Sequence, residues 1–220
     1  MVTLWCPGIP GAGKTVLASV ATKRLQDAQR LKQSALRAGI VCLYCEYERQ
    51  EDQTAQQLFS AALRQLSEQS SQILESVTQL YQFSTAEKRK PSFDKIVSMF
   101  SDAIRSFPEV FIILDALDEC SEETCRELLA TLSTLQNATG LKLLVTSRRT
   151  VEFRKFFPEC GELEVRAAEG DVKVVLDVQV ERLSACVRND GELRKTVIER
   201  VATAVDGMYA AHLSLFTMPF

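Results

Sequence analysis

The chain has 220 residues, of which 46% are hydrophobic and 25% are charged, with only 9 Gly and 6 Pro. This length and composition are typical of a folded globular protein with a sizeable core, and they exclude collagen-like, low-complexity and largely disordered classes. The 26 basic and 29 acidic residues give a net charge of −3, so no basic field favours nucleic acid or an anionic membrane surface as a partner.

The first third of the chain predicts two strands separated by a long helix. Residues 2–6 are an apolar strand candidate, followed by a loop rich in Gly and Pro that ends at Gly13. The helical pattern that follows extends to about Ala38, where Gly39 supplies a stop. Residues 40–47 then predict the second strand.

The middle of the chain continues this alternation of helices and strands. Residues 53–82 have helical spacing with a break near Ser70, and residues 93–104 predict another amphipathic helix. A further helix begins after Ser121, which has the side chain of an N-cap. Three short strand candidates lie at residues 110–115, 142–146 and 163–166.

Five strands separated by helices predict βαβ crossovers and therefore an α/β fold. We expect a three-layer α/β/α sandwich around a five-stranded parallel sheet. From Asp171 onward the pattern is helical only. We therefore predict a core domain at residues 1–168 and the start of a helical domain at residues 169–220.

Seven cysteines without a signal peptide ahead of them favour a reducing, cytoplasmic compartment. Cys42 and Cys45 form a CxxC within the second predicted strand, where residues three apart point to opposite faces. Buried core thiols are therefore favoured over a metal or redox site. No uncharged apolar stretch approaches the roughly 20 residues that span a bilayer, so no membrane insertion is expected.

The loop after the first strand reads GIPGAGKT, which matches GxxxxGKT between a strand and a helix. Its glycines allow backbone N–H groups to surround phosphates at the positive end of the helix dipole. Lys14 is expected to reach the β- and γ-phosphates, and the Thr15 hydroxyl to complete a Mg²⁺ shell. The predicted nucleotide-contacting residues are Gly8, Ile9, Pro10, Gly11, Ala12, Gly13, Lys14, Thr15 and Val16.

The third predicted strand ends in a carboxylate within the segment FIILDALDE. Beside a phosphate loop, Asp115 is expected to join Thr15 in holding Mg²⁺. Many P-loop ATPases place a catalytic Glu directly after this Asp, but here the position is Ala116. If hydrolysis occurs, Asp118 or Glu119 must therefore polarise the attacking water, and turnover should be slow.

The fourth predicted strand ends in LLVTSR, with two hydroxyl groups followed by a cation. Arg148 is expected to sense or stabilise a γ-phosphate; the alternative is a surface arginine at the end of a strand. The catalytic candidates are Asp118, Glu119 and Arg148.

LWCPGIPGAGKT, FIILDALDE and LLVTSR, in this order and spacing, resemble the NACHT branch of the STAND P-loop NTPases (signal transduction ATPases with numerous domains). They are similar in particular to fungal NACHT and nephrocystin-3-like N-terminal domains of the NOD-like receptor type. The resemblance implies the sheet order 5-1-4-3-2 and a switch that ADP holds closed and ATP opens for self-association. It also implies ATP or ADP with Mg²⁺ as cofactors, and this chain itself or related STAND proteins as partners.

Relative to that family plan, we expect the segment that helps to enclose adenine, and the winged helix that follows the helical domain, to be missing. We therefore expect either a truncated product or a stand-alone core with weaker nucleotide affinity. A second hypothesis is a non-hydrolysing interaction module that pairs with full-length relatives. A third, a small-molecule kinase, is less favoured because residues 149–160 hold too few arginines for a substrate lid. The absence of an NKxD segment favours ATP over GTP, and His212 has no predicted catalytic role.

Overall fold

The structure is a computed structural model that describes residues 3–31, 37–86, 91–166 and 189–204. Five parallel strands form one sheet in the order β2-β3-β4-β1-β5. Read from the other edge, this is the predicted order 5-1-4-3-2, so the predicted α/β fold is confirmed. The strands are β1 (Thr3–Pro7), β2 (Gly39–Tyr44), β3 (Val110–Asp115), β4 (Lys142–Ser147) and β5 (Gly161–Glu162).

Three of the helices in the described ranges begin at a hydroxyl N-cap. The side chains of Thr54, Ser92 and Ser121 each accept a hydrogen bond from the backbone N–H three residues on, which fixes the starts of the second, fourth and fifth helices. The predicted break near Ser70 separates the second helix from the third. The helices are α1 (Lys14–Leu31), α2 (Ala55–Ser67), α3 (Ser71–Ala86), α4 (Phe93–Arg105), α5 (Glu122–Thr139), α6 (Phe153–Phe156) and α7 (Gly191–Ala204).

Both faces of the sheet are covered, which explains why its strands are continuous apolar runs. Alternate residues of β2 contribute to a different hydrophobic cluster on each face. Val41 and Leu43 belong to a large core shared with α2, α4 and α5. Ile40 points to the opposite face and packs with Ala18 of α1 and Ile113 of β3. The sheet therefore holds the N-terminus of α1 next to the carboxyl ends of the central strands.

Two glutamines, Gln65 in α2 and Gln69 in the turn directly after it, protect the open edge of β2. The Gln65 side chain accepts a hydrogen bond from the backbone N–H of Cys42 and donates one to its carbonyl, both at 2.8 Å. Gln69 makes the same pair of bonds at Ile40, at 3.0 and 2.7 Å. These amides take the place of a neighbouring strand, so this part of the edge offers no free pairing groups.

Two predicted strands differ from the observed ones by more than one residue at an end. The second strand ends at Tyr44 rather than at residue 47, because the Gln53 side chain bonds the Tyr44 carbonyl and the Glu46 N–H, and a 3₁₀ turn, Tyr47–Arg49, follows. The fifth strand is Gly161–Glu162 rather than residues 163–166. The chain nevertheless continues beside β1, with N–H groups of residues 163 and 165 donating to β1 carbonyls.

The predicted first helix was also too long, because residues 37–38 are not helical. The predicted domain boundary near residue 168 and His212 lie outside the described residues. Within the described ranges, no helix is long and apolar enough to cross a membrane.

Candidate functional site

The loop between β1 and α1 is shaped by two glycines in the left-handed region. Gly11 has φ 70° and Gly13 has φ 93°, which residues with a Cβ rarely adopt. Helix α1 begins directly afterwards at Lys14, and the Leu17 N–H donates to the Gly13 carbonyl at 2.9 Å. The positive end of an 18-residue helix is therefore exposed at the carboxyl edge of the sheet.

Gly8 is held between two neighbouring segments of the sheet. Its N–H donates to the Ser147 carbonyl at 3.0 Å, and the Val165 N–H donates to the Pro7 carbonyl at 2.7 Å. A Cβ at Gly8 would lie 2.6 Å from the Val165 carbonyl oxygen. Any larger residue at this position would push the loop away from residues 163–166.

The Lys14 ammonium group is folded back over its own loop. It donates to the carbonyl oxygens of Gly8 and Ile9 at 2.9 and 3.0 Å. Partial burial lowers the pKa of Lys14, and the negative charge of Asp118 opposes this shift. An anion entering the loop would offer stronger acceptors than these two neutral carbonyls.

Three segments meet around one cavity of about 360 Å³ at this edge of the sheet. They are the loop with the first turn of α1, the segment after β3, and the residue after β4. Of the predicted site residues, Gly8, Ile9, Ala12 and Asp115 do not line the cavity. Its lining residues are Pro10, Gly11, Gly13, Lys14, Thr15, Val16, Ala116, Asp118, Glu119 and Arg148.

Asp115 is buried, with 2% of its surface exposed, and one threonine holds its carboxylate. The Thr146 hydroxyl donates to Asp115 Oδ1 at 2.5 Å and accepts the N–H of Ala116 at 2.9 Å. Both hydrogen-bonding roles of the hydroxyl are therefore used. Thr146 fixes the carboxylate and the start of the next turn together.

Ala116 is the only non-glycine residue with positive φ in the described part of the chain, at φ 55°. This conformation costs a residue with a side chain about 1 to 2 kcal/mol. It turns the chain sharply after β3 into the 3₁₀ turn Leu117–Glu119. The turn brings Asp118 and Glu119 back to the cavity.

Asp118 and Arg148, which both line this cavity, form an ion pair. The Arg148 Nε lies 2.9 Å from Asp118 Oδ2, and the Arg148 backbone N–H donates to Asp118 Oδ1 at 2.9 Å. The Asp118 side chain is 7% exposed and the Arg148 side chain 52%. The Asp118 side chain is therefore buried, whereas about half of the Arg148 side chain is exposed beside the loop.

Glu119 has a different partner from Asp118. Its Oε2 accepts the backbone N–H of Tyr47 at 3.1 Å. This bond links the segment after β3 to the 3₁₀ turn after β2. Both candidate carboxylates therefore have a protein partner.

Thr146 and Ser147 are two functional residues without a role predicted from the sequence. The Ser147 hydroxyl accepts the indole N–H of Trp5 at 2.9 Å, while its carbonyl accepts the Gly8 N–H. The available signal was the pair of hydroxyl residues at the end of a buried strand. Which groups they would bind could not be read from that pattern.

The fold, the glycine-shaped loop and the converging charged residues are typical of a P-loop NTPase-like domain. A family profile described as Nephrocystin 3, N-terminal, matches residues 2–148, which is more than half of the chain. The chain therefore belongs to the nephrocystin-3 N-terminal family. Proteins of this fold class generally use a nucleotide with Mg²⁺.

Solved structures of other proteins share the fold, and two of them illustrate the likeness. The Aeropyrum pernix ORC1 protein, solved in complex with DNA, matches with a TM-score of 0.55 and 14% identity over 82% of this chain and 44% of that one. A Walker-type ATPase of Pyrococcus abyssi matches with a TM-score of 0.54 and 18% identity over 94% and 59%. The chain thus spans about half the length of these structures, and no curated protein matches it.

Proposed function

We propose that this chain binds ATP and ADP with Mg²⁺ in the cavity at the start of α1. In this proposal it is a NACHT-type signalling switch that hydrolyses ATP slowly to ADP and phosphate. The observation that carries the proposal is the convergence of Lys14, Asp118 and Arg148 on one cavity at a helix N-terminus. Its volume of about 360 Å³ lies within the range of ligand sites.

The residues around the loop fit a nucleotide phosphate chain. The N-terminus of α1 and the Lys14 ammonium supply positive charge, and Lys14 exchanges its bonds to two loop carbonyls for phosphate oxygens. The Thr15 hydroxyl lines the cavity and is an oxygen ligand that Mg²⁺ prefers. The Asp115 carboxylate does not line the cavity and would hold the ion through a water molecule. Bound Mg²⁺ would neutralise charge on the phosphates.

We expect hydrolysis to be slow because the carboxylates near the cavity are few and already have bonding partners. Ala116 supplies no carboxylate, and both oxygens of Asp118 are engaged by Arg148. Glu119 has a single bond, from the Tyr47 N–H, and lines the cavity. We therefore assign the polarisation of water to Glu119 and the positioning of Arg148 to Asp118.

Arg148 offers a way to distinguish ATP from ADP. Its guanidinium group is half exposed beside the cavity and is bonded to Asp118 by one nitrogen. A γ-phosphate carries more charge than one carboxylate and competes for the same donors. Transfer of Arg148 from Asp118 to phosphate would couple the nucleotide state to the segment after β3.

Calorimetric titration with ADP and ATP in the presence of Mg²⁺ tests the proposal. We expect the parent chain to bind both nucleotides and Lys14→Ala to abolish binding. Lys23→Ala is the matched control, because Lys23 is exposed on the same helix and should leave affinity unchanged. A folded parent chain that binds neither nucleotide would contradict the proposal and favour the interaction-module hypothesis.

A further inference from the structure

A second cavity, of about 400 Å³, lies next to the segment that carries the two acids. Asp118 lines both this cavity and the one at the start of α1. Two cysteines also line the second cavity: Cys120, directly after Glu119, and Cys125 in α5. The second cavity therefore has two cysteine residues in its wall next to the candidate active site.

Cys45 lies directly behind Cys120. The two Sγ atoms are 2.9 Å apart, and both residues are buried, with 4% and 6% of their surfaces exposed. Cys45 is not among the residues that line the second cavity. Of the two, Cys120 is therefore the residue that borders the cavity.

The backbone holds both cysteines in place. The Cys45 N–H donates to the Asp115 carbonyl at 3.0 Å, directly after β2, and the Cys120 N–H donates to the Leu117 carbonyl at 3.2 Å. A disulfide has an S–S distance of about 2.05 Å, so closing the bond moves the sulfur atoms by less than about 1 Å. The fold presents the pair for bonding without a large rearrangement.

We propose that Cys45 and Cys120 form a reversible intramolecular disulfide when a hydroperoxide enters the second cavity. Neither the nucleotide chemistry nor the family assignment requires this pair. The bond would join the residue after β2 to the residue that follows Glu119. Oxidation would thereby link the segment carrying Asp118 and Glu119 covalently to the end of β2, the outermost strand of the sheet.

The reaction balances in two steps. The Cys120 sulfur, as thiolate, attacks one peroxide oxygen; the O–O bond breaks, and the leaving hydroxide takes up the thiol proton as water, which leaves a sulfenic acid. The Cys45 sulfur then attacks the Cys120 sulfur, the S–O bond breaks, and the leaving hydroxide takes the Cys45 proton as a second water. Two thiols lose two electrons, and one hydrogen peroxide becomes two waters.

Intact-mass and peptide mapping of the full chain, treated natively with hydrogen peroxide and quenched with an alkylating agent, test this inference. We expect a loss of two hydrogens, a peptide cross-linked between Cys45 and Cys120, and reversal by dithiothreitol. The oxidised chain should also unfold at a higher temperature than the reduced chain, because the bond closes a loop between residues 75 apart. A folded parent chain without this cross-link would overturn the inference.

Two variants make the assignment specific. Cys125→Ser removes the other thiol that lines the cavity and should keep the cross-link. Cys45→Ala should abolish the cross-link and leave Cys120 as a sulfenic acid that dimedone labels. A cross-link between Cys120 and Cys125, or the same loss of two hydrogens in Cys45→Ala, would overturn the inference.

Discussion

Both carboxylate oxygens of Asp118 are bonded to Arg148, one to the guanidinium Nε and the other to the backbone N–H, each at 2.9 Å. The pair connects the turn after β3 with the residue after β4, at the edge of the sheet where α1 begins. One side chain is buried and the other is half exposed. An ion pair of this kind holds the arginine in position while leaving part of its guanidinium group available to a ligand.

Substituting Arg148 by Ala should weaken ATP binding about 10- to 100-fold more than ADP binding. The reason is that charge-assisted hydrogen bonds to a phosphate contribute about 1.5 to 3 kcal/mol each. Calorimetry with both nucleotides measures the ratio of affinities. Arg149→Ala is the control, because Arg149 is similarly exposed but pairs with Glu162 and Glu164. Equal losses for ATP and ADP in Arg148→Ala would contradict γ-phosphate sensing.

Glu119→Gln should lower the rate of phosphate release about 100-fold or more, while ATP affinity changes little. This magnitude is typical of the loss of a general base. Phosphate release under single-turnover conditions measures the effect. Glu122→Gln is a suitable control, because Glu122 lies in the first turn of α5 with an exposed side chain. Unchanged turnover in Glu119→Gln would remove Glu119 from the proposed chemistry.

Thr146→Val should reduce the free energy of unfolding by about 1 to 3 kcal/mol, because it leaves buried partners unsatisfied. The threonine hydroxyl bonds both the Asp115 carboxylate and the Ala116 N–H. Urea denaturation measures the loss. Thr146→Ser keeps the hydroxyl and should recover most of the stability. Thr146→Val keeps the methyl group of the threonine, so a Thr146→Val variant as stable as the parent would contradict a stabilising role for the hydroxyl.

Replacing Gln65 and Gln69 together by Ala should open the edge of β2 and promote self-association. The variant leaves the backbone groups of Ile40 and Cys42 without their side-chain partners. Size-exclusion chromatography with light scattering, over a range of concentrations, checks this expectation. Gln57→Ala alters an exposed glutamine of α2 and should remain like the parent. A double variant that behaves like the parent would show that water replaces the amides without consequence.

Stability should fall as pH rises from about 9 to about 11. Burial raises the pKa of the Cys6 thiol from 9.0 to about 11, so in this window the folded chain binds more protons than the unfolded chain. The stabilisation is fully present below pH 9 and is lost as pH rises through the folded pKa. Urea denaturation at several pH values measures the slope, which should be smaller in Cys6→Ala than in the parent.

The sequence predicted the fold and the phosphate loop because both depend on local patterns. Apolar runs alternating with amphipathic helices indicated the parallel sheet, and GxxxxGKT between a strand and a helix indicated the loop. The ends of β2 and β5 were missed. The end of β2 depends on the Gln53 side chain, and that of β5 on its pairing with β1.

By itself the sequence determined the α/β class, the strand order implied by the family resemblance, and which residues could carry the chemistry. Only the tertiary structure decided their pairing: Thr146 with Asp115, Arg148 with Asp118, and Cys45 with Cys120. These partners are 30 to 75 residues apart in the chain. Periodicity reports which face of an element a side chain occupies, whereas partners at such distances are set by the register of the parallel strands and the turns at their carboxyl ends.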